Sequence, residues 1–411
     1  MVCIVFVFCA ATAIASPAQV LNTLYSFCAQ SNCADGSLPW AGLVQAADGN
    51  FYGTTADAGA NGWGTVFKIT PSGALTTLYS FCAQSNCADG SSPYAGLVQA
   101  TDGNFYGTAF EGGNSYSSCG LYGTCGTVFK ITPSGALTTL YSFCSQSGCT
   151  DGANPIGGLV QGRDGNFYGT TFSGGSYCPP DGCGTVFKIT PSGTLTTLHS
   201  FEGNGTGGGG PVAALVQATD GNFYGTTGST VFKITPGGTL TTLHTFYGAD
   251  GAQPYAGLVQ ASDGNFYGTT LYGGANGGCN YGEGCGTVFK ITPSGTLTTL
   301  HSFCSQPNCT DGDSPHAGLV QATDGDLYGT TSAGGNASNE GTVFKITAGG
   351  TLTTVYSFHG TPDPGIPYAG LVQAADENFY GTTFEDGAHD GGSVFRLVSV
   401  RPCFSCPLQW K

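Results

Sequence analysis

Short runs of apolar and β-branched residues recur in a fixed order along the chain. One complete unit, residues 256–303, reads AGLVQA, an Asp-Gly turn, NFYGTT, a loop, GTVFKIT, a Pro-Ser-Gly turn and TLTTLHSF. Runs of this length and composition, bounded by Gly, Pro and Asp, are typical of β-strands. Asp-Gly between two such runs indicates a tight hairpin. The pattern therefore predicts four short antiparallel strands per unit, called A, B, C and D.

The unit occurs seven times, and each copy carries an aspartate in the turn between strands A and B. Successive turn aspartates are 54, 62, 56, 43, 61 and 52 residues apart, so the motif stays constant while the loops vary in length. Such repetition is the signature of a repeat architecture, and four strands per unit of this size is typical of a propeller blade. The sequence predicts an all-β fold, a seven-bladed β-propeller. The turn aspartates are Asp48, Asp102, Asp164, Asp220, Asp263, Asp324 and Asp376.

The two ends of the repeat array complement each other. The seventh unit stops after its strand C, residues 392–398, whereas residues 21–27 read as a strand D with no unit before it. We expect the N-terminal strand to complete the last blade and close the ring, which removes exposed sheet edges. The predicted organisation is a signal peptide at 1–15, the propeller at 16–398 and a short tail at 399–411. The predicted blades are 41–81, 95–143, 157–201, 213–246, 256–303, 317–358, and 369–398 completed by 20–27.

Residues 1–15 are apolar and end in the small-x-small pattern Ala13-Ile14-Ala15. This pattern indicates a signal peptide, although no basic residue precedes the apolar run. No other run approaches the roughly 18 apolar residues of a membrane span. We therefore expect a secreted or cell-surface protein whose mature chain has no membrane span.

Cysteine spacing agrees with export. Sixteen cysteines follow the leader, and each has a partner five or six residues away, except for a final pair three residues apart. Local disulfides in an oxidising compartment explain this arrangement. Metal binding is the alternative, but four-ligand sites need two pairs together, and a ring is expected to keep the pairs on separate blades. The predicted disulfides are Cys28/Cys33, Cys82/Cys87, Cys119/Cys125, Cys144/Cys149, Cys178/Cys183, Cys279/Cys285, Cys304/Cys309 and Cys403/Cys406.

The net charge of −15 is expected to lie mostly on one face of the ring. Strand C supplies one basic residue per blade, which can offset the seven turn aspartates. Sixteen further acidic residues lie in the B–C and D–A loops, and no lysine or arginine accompanies them. Such a face should repel nucleic acid and attract cations or basic partners. These loop acids are Asp35, Asp57, Asp89, Glu111, Asp151, Asp181, Glu202, Asp250, Glu283, Asp311, Asp313, Glu340, Asp363, Glu385, Asp386 and Asp390.

A second irregular set lies just before strand A, where the chain leads into the central channel. Five of these seven positions are aromatic when histidine is counted, and Ile156 and Val212 occupy the other two. Aromatic rings around a pore mouth can stack on sugars or bind apolar ligands, but they can equally pack between blades. The candidate ligand-binding residues are Trp40, Tyr94, Tyr255, His316 and Tyr368.

No catalytic residues are predicted. Residues present in every blade are expected to be structural. His199, His244 and His301 fill a strand D position that is tyrosine in other blades, and they are expected to be packing residues. The remaining histidines and loop glutamates show none of the spacings that define known catalytic motifs. Calcium is an open alternative at the acidic loops, but the four DGxxP segments lack the ligand alternation of an EF-hand and read as Asp-Gly turns. No other cofactor is expected.

The units LVQASDGNFYGTT and GTVFKITPSGTLTTLHSF closely resemble the GloVer tandem repeat of secreted and surface proteins of environmental bacteria. The resemblance covers about residues 21–398 and implies export and a propeller-like array. The resemblance assigns no catalytic residues to this chain. Members often end in an anchoring tail, whereas residues 401–411 have no apolar segment before a basic end, which puts surface anchoring in doubt.

The leading hypothesis is a monomeric, secreted scaffold that binds an extracellular glycan or protein on its acidic, disulfide-bearing face. Function is disproportionately carried by variable loops on a rigid scaffold. A polysaccharide-active lyase or hydrolase on the same scaffold is one alternative. A purely structural surface or matrix component is the other.

Overall fold

The computed structural model describes residues 19–113, 125–178, 182–203, 208–279 and 282–398. Seven four-stranded antiparallel sheets, each in the order A-B-C-D, form a seven-bladed β-propeller, as predicted. The predicted signal peptide and tail lie outside the described residues. Within the described ranges, no helix is long and apolar enough to cross a membrane.

Strand A is only two residues long, shorter than the six-residue run that predicted it, whereas strands B and C are buried along almost their whole length. Strands A meet at the channel, where the backbones of neighbouring blades approach closely: a Cβ on Gly42 would lie 3.0 Å from the Gly370 carbonyl oxygen. The strands are, for blade 1, Val44–Gln45, Phe51–Thr55, Thr65–Ile69 and Leu75–Ser80; for blade 2, Val98–Gln99, Phe105–Ala109, Thr127–Ile131 and Leu137–Ser142; for blade 3, Val160–Gln161, Phe167–Thr171, Thr185–Ile189 and Leu195–Ser200; for blade 4, Val216–Gln217, Phe223–Thr226, Thr230–Ile234 and Leu240–Thr245; for blade 5, Val259–Gln260, Phe266–Thr270, Thr287–Ile291 and Leu297–Ser302; for blade 6, Val320–Gln321, Leu327–Thr331, Thr342–Ile346 and Leu352–Ser357; and for blade 7, Val372–Gln373, Phe379–Thr383, Ser393–Leu397 and the N-terminal Leu21–Ser26.

Minor elements lie in the loops between blades. Single 3₁₀ turns open four of the D–A loops, and a two-stranded ladder joins Pro364–Gly365 to Glu385–Asp386. The 3₁₀ turns are Ser31–Cys33, Ser85–Cys87, Ser147–Cys149 and Pro307–Cys309.

The N-terminal strand closes the ring. Leu21–Ser26 pairs antiparallel with Ser393–Leu397, so that Leu21 lies opposite Leu397 and Ser26 opposite Ser393. A bulge interrupts this pairing between Thr23 and Tyr25, and the C–D pairing of the other six blades contains a bulge at the corresponding place. The first strand is therefore a true strand D.

The hydrophobic cores lie between blades rather than within them. Phe27 of blade 7 packs edge-on against Phe67 of blade 1, with ring centroids 5.1 Å apart. Tyr380 stacks on Phe51 across the same interface at 4.1 Å. Each of the seven core clusters likewise draws residues from two adjacent blades. An open array would leave one such core half formed.

Two rings of hydrogen bonds join the blades and assign roles to repeated polar residues. The strand B threonine of each blade donates to a backbone carbonyl of a neighbouring blade; Thr382 Oγ1 lies 3.0 Å from the Ala41 oxygen across the closure. The strand A glutamine of each blade accepts from a neighbouring backbone N–H, and Gln45 Oε1 lies 2.9 Å from the Ala375 nitrogen. Both rings contain seven members.

The strand order places the connections on two faces. The A–B and C–D turns, which are nearly identical in every blade, form what we call the lower face. The B–C and D–A loops, which differ between blades, form the upper face and carry the candidate site.

Replacing Phe27 with alanine tests the closure. Phe27 is fully buried between the first and last blades, so we expect F27A to lower the free energy of unfolding by about 3–5 kcal/mol in denaturant titrations. Val20→Ala, at an exposed position beside the same strand, is the matched control and should change it little. A loss below about 1 kcal/mol for F27A would contradict tight closure.

Candidate functional site

The chain enters each blade through the same short segment above strand A. A residue with positive φ, such as Ser92 (φ 52°), precedes a proline, and the Pro93 ring lies against Gly64 of the preceding blade. The next residue, here Tyr94, is thereby held over the channel, four residues before strand A. This segment fixes the position of the variable aromatic side chain while leaving its identity free.

Four of the five candidate ligand-binding residues form a continuous chain of ring contacts across blades 6, 7, 1 and 2. His316 lies 4.4 Å from Tyr368, Tyr368 lies 5.0 Å from Trp40, and Trp40 lies 5.5 Å from Tyr94, measured between ring centroids. All five side chains are half-buried. Because Tyr255 belongs to blade 5, the five residues occupy consecutive blades, and we call them the aromatic arc.

Two cavities adjoin the arc. The first, about 400 Å³, lies at the channel and is walled by Trp40, Tyr255, His316 and Tyr368 above a floor of alanine and glycine. The second, also about 400 Å³, shares His316 and Tyr368 with the first. Its other lining residues include Tyr272, Ser314, Ser332, Asn339 and Glu340.

The arc itself carries no charge near neutral pH. Burial lowers the pKa of His316 to about 4, so its imidazole is neutral. Burial, together with Glu385, raises the pKa of Tyr368, and burial also raises that of Tyr255. The walls therefore offer aromatic faces, phenol hydroxyls and a neutral imidazole.

Several aromatic residues at this face were not singled out from the sequence. Phe384 packs against both Trp40 and Tyr368, with centroids 4.9 and 4.8 Å away, and Phe110 packs against Tyr94 at 5.3 Å. Phe384, Phe110 and Leu271 directly follow strand B, at a position where the residue type differs between blades. Tyr272 comes one residue later. That variation directly after strand B, whose own sequence is nearly constant, was the available signal. Trp63, Tyr177 and Tyr247 are exposed on other upper-face loops.

Carboxylates flank the arc. Glu340 lines the second cavity, and burial, followed by the nearby Asp386 and Glu385 carboxylates, raises its pKa. Asp386 Oδ1 accepts hydrogen bonds from the Thr361 amide at 3.1 Å and the Thr361 hydroxyl at 2.5 Å. Burial raises the pKa of Glu111, which follows Phe110 in blade 2. The other irregular histidines lie elsewhere: His359 contacts Asn336, and His389 is exposed.

Comparison with protein families identifies the repeat. The family model described as the Gloeobacter/Verrucomicrobia repeat matches residues 12–149, 115–305 and 204–395, which together span nearly the whole chain. The chain belongs to the Gloeobacter/Verrucomicrobia repeat family. This confirms the resemblance recognised in the sequence. No curated protein sequence matches the chain.

Solved structures similar to this member of the repeat family are propellers. A streptogramin B lyase superposes with a TM-score of 0.60 at 15% identity, covering 92% of this chain and 97% of the lyase. Virginiamycin B lyase from Staphylococcus aureus gives 0.59 at 14% identity, covering 93% and 100%. The extracellular domain of a putative hybrid two-component system from B. thetaiotaomicron gives 0.56 at 12% identity, covering 93% and 40%. At these identities the similarity shows the fold alone.

Some acidic residues of the upper-face loops are buried and hydrogen-bonded within the protein, which removes their carboxylates from the exposed surface. Asp89 is fully buried; its Oδ2 accepts from the Tyr79 hydroxyl at 2.8 Å and the Ala83 amide at 2.9 Å, and its Oδ1 accepts from the Gln84 amide at 3.1 Å. The same arrangement ties three other buried loop aspartates to a strand D tyrosine or histidine ten residues earlier: Asp35, Asp151 and Asp311. A Tyr or His ten residues before Asp-Gly was the signal that the sequence analysis missed.

Two of the three strand D histidines, His244 and His301, also contact aspartates. His301 Nε2 lies 3.0 Å from Asp311 Oδ2, and His244 Nε2 lies 2.7 Å from Asp250 Oδ2. Interpreting them as packing alone was incomplete. The Asp-Gly turns hold buried carboxylates whose oxygens already accept protein hydrogen bonds.

Six predicted disulfides are present: Cys28–Cys33, Cys82–Cys87, Cys144–Cys149, Cys178–Cys183, Cys279–Cys285 and Cys304–Cys309. Cys125 is also disulfide-bonded, whereas Cys119, Cys403 and Cys406 lie outside the described residues. The expectation that the ring separates all pairs is wrong in blade 5.

In that blade the B–C and D–A loops meet, and the Sγ atoms of Cys279, Cys304 and Cys309 lie within 4.8 Å of one another. Cys279, Cys285 and Asp313 form a second such group. Because these cysteines are oxidised to disulfides, they offer no thiolate to a metal ion.

The lower face pairs each turn aspartate with protein donors. Lys68 Nζ lies 2.9 Å from Asp48 Oδ2, which also accepts from the Tyr52 hydroxyl at 3.0 Å. Burial by itself would raise the pKa of Asp48, but the hydrogen bonds from Asn50, Lys68 and Tyr52 together hold it well below its usual range. The same Lys–Asp contact recurs in five further blades. The bases thus lie opposite the candidate site.

These carboxylates should make stability depend on pH. A folded-state pKa below the unfolded value of about 3.9 contributes stability that is present above about pH 4 and is lost as the pH falls through the folded-state pKa. We expect the free energy of unfolding, measured in urea at several pH values, to fall steeply below about pH 4.

Asp48→Asn should make that fall shallower, because one linked carboxylate is gone. Asp390→Asn, at an exposed upper-face position, is the control for removal of a single carboxylate. Equal acid dependence in D48N and the unaltered protein would contradict the assignment.

Proposed function

We propose that this chain is a secreted or cell-surface scaffold that binds an extracellular glycan at the upper mouth of its channel. The observation that carries the proposal is the aromatic arc: five half-buried aromatic side chains on consecutive blades, four of which line a cavity of about 400 Å³. Flat aromatic surface suits the apolar faces of sugar rings, and it is presented at low entropic cost.

The asymmetry of the ring supports a binding role. The equivalent positions in blades 3 and 4 are Ile156 and Val212, so the scaffold accepts aliphatic residues there. Aromatic residues are therefore not required to seat the segment above strand A. The aromatic residues occupy five consecutive blades, and blades 3 and 4 interrupt the circle.

Export is supported by the disulfides, which persist in oxidising compartments, and by the apolar leader at residues 1–15. An oxidising exterior is also where a protein would meet polysaccharide. A protein ligand on the same face is the competing occupant.

Replacing Trp40 or Tyr368 with alanine tests the site. The purified chain would be screened on a glycan array, and the dissociation constant for a hit would be measured by calorimetry. We expect each substitution to weaken binding about tenfold or more, since each removes one wall of the cavity and about 1.4 kcal/mol corresponds to tenfold. Ile156→Ala, at the equivalent position in blade 3, is the matched control and should leave affinity unchanged.

Binding that is indifferent to the Trp40 and Tyr368 substitutions would place the ligand elsewhere and contradict the proposal. Absence of any glycan or protein ligand would favour the structural surface component. Circular dichroism of each variant would verify that the propeller is still folded.

A second candidate function, a polysaccharide-active lyase or hydrolase, is favoured by one observation. His316 and Glu340 are unlike residues, not blade equivalents, and both line the second cavity. A neutral imidazole and a carboxyl group with a raised pKa can serve as base and acid. Incubation of the bound glycan with the protein, followed by analysis of chain length, distinguishes the two: shortening that is lost in Glu340→Gln would favour the enzyme.

A further inference from the structure

Acidic side chains at the upper face coincide with the aromatic arc. Glu340 lines the second cavity, and Glu385 lies close enough to Tyr368 to raise its pKa. Asp57 in blade 1 and Glu111 in blade 2 occupy the same position as Glu385 in blade 7, two residues after strand B. At this position the backbone pairs with the D–A loop, at Ser37, Ser91 and Gly365 respectively. Blades 7, 1 and 2 thus combine an arc residue with a carboxylate.

In other blades, the residue at this position is uncharged. In blades 3, 5 and 6 it holds Ser173, Tyr272 and Ala333, which pair with the D–A loop in the same way. The backbone geometry therefore does not demand an acid. At this position carboxylates occur in blades 7, 1 and 2, which carry Tyr368, Trp40 and Tyr94, and in blade 6 the acid is on the paired strand instead, at Asp313.

No basic side chain offsets these carboxylates on the upper face. Among the described residues, every lysine and arginine lies on strand C or, for Arg163, in an A–B turn of the lower face. Arg163 is held there by hydrogen bonds to the carbonyl oxygens of Ala218 and Thr219. Across the described part of the chain, no lysine or arginine therefore neutralises the carboxylates beside the arc, of which Glu340 lines the second cavity.

This combination of aromatic and acidic groups favours a ligand that carries a positive charge. Aromatic faces attract an ammonium group through their quadrupoles, and carboxylates around a cleft raise the local concentration of cations. A neutral sugar can donate hydrogen bonds to the carboxylates but gains no ionic attraction from them, and a uronic acid polymer is repelled by them. The arrangement of charges therefore favours a glycan that carries positive charge.

The cavities favour a sugar over a basic peptide as the carrier of that charge. The two adjoining spaces of about 400 Å³ each share the His316 and Tyr368 wall, an arrangement that suits successive rings of one polymer. The second space also presents Ser314, Ser332 and Asn339, whose hydroxyl and amide groups match sugar hydroxyls.

We infer that the ligand of the aromatic arc is an amino-sugar polymer with free primary ammonium groups. The inference rests on the proposed function and adds the chemical class of its ligand. The ammonium group lies between the aromatic walls and the Glu340 and Glu385 carboxylates, while the sugar ring stacks on the arc.

The test compares two probes that differ only in charge: glucosamine oligomers and N-acetylglucosamine oligomers of the same length. Binding of each to the purified chain would be measured by calorimetry at low and high salt. We expect the glucosamine oligomer to bind at least tenfold more tightly than its acetylated counterpart. That advantage should shrink at high salt, because screening weakens exposed charge pairs.

The variant Glu340→Gln/Glu385→Gln should remove most of the advantage, whereas Asp390→Asn, which lies on the outer side of blade 7 beside Gly391 and Cys28, should retain it. The double variant lowers repulsion among neighbouring carboxylates, so loss of binding through unfolding is not expected, and thermal melting would check this.

Equal affinity for the two oligomers would overturn the ammonium inference and leave the proposed glycan site standing. Binding of an acetylated or neutral glycan alone, abolished by Trp40→Ala, would have the same meaning. If neither oligomer binds and a lysine homopeptide does so at the arc, both the amino-sugar inference and the proposed glycan function are wrong.

Discussion

Closure of the ring is the constraint on which the rest of the structure depends. No blade contains a complete core: Phe67 of blade 1 needs Phe27 from the N-terminal strand, just as Phe395 of blade 7 needs Phe358 from blade 6. The seven buried threonine hydrogen bonds and the seven glutamine hydrogen bonds cross the same interfaces. Since each interface stabilises two blades, an unpaired final blade would weaken the array at the one point where its two ends meet.

This constraint explains why the repeated residues are so uniform. Strand B must supply a tyrosine to stack on the next blade, a glycine that leaves room for the strand C phenylalanine, and a threonine to bond to the neighbouring carbonyl. In blade 1, a Cβ on Gly53 would meet the Phe67 ring at 2.6 Å, so a larger residue would displace that ring. The lower-face turns are equally constrained, because Asp48, Lys68 and Tyr52 form one hydrogen-bonded group.

The upper face is under few of these constraints, and its residues therefore differ from blade to blade. The segment above strand A is fixed by a positive φ and a proline, yet it accepts Trp40 in one blade and Val212 in another. The disulfides and the buried Asp–Tyr and Asp–His pairs stiffen these loops locally. A stiff loop on a closed ring can hold an aromatic wall in place without contributing to the core, which is the physical basis of the proposed site.

The sequence by itself determined the number of blades, the strand order, the closing strand, the disulfide pairs that the structure describes and the positions of the aromatic arc. Those features repeat with the strands or depend on neighbours in the chain, and local patterns report them. Only the tertiary structure decided which irregular residues meet. Phe384 contacts Trp40, and Glu340 and Tyr368 line one cavity, although the chain separates them widely.

The tertiary structure likewise decided that Asp89 is buried while Asp57 is exposed, although both lie in acidic loops of one face. Sequence composition counts charges, but burial and hydrogen bonding determine which of them a ligand can reach. That distinction requires the folded ring, because the groups that surround each carboxylate come from different strands and, at the channel, from different blades.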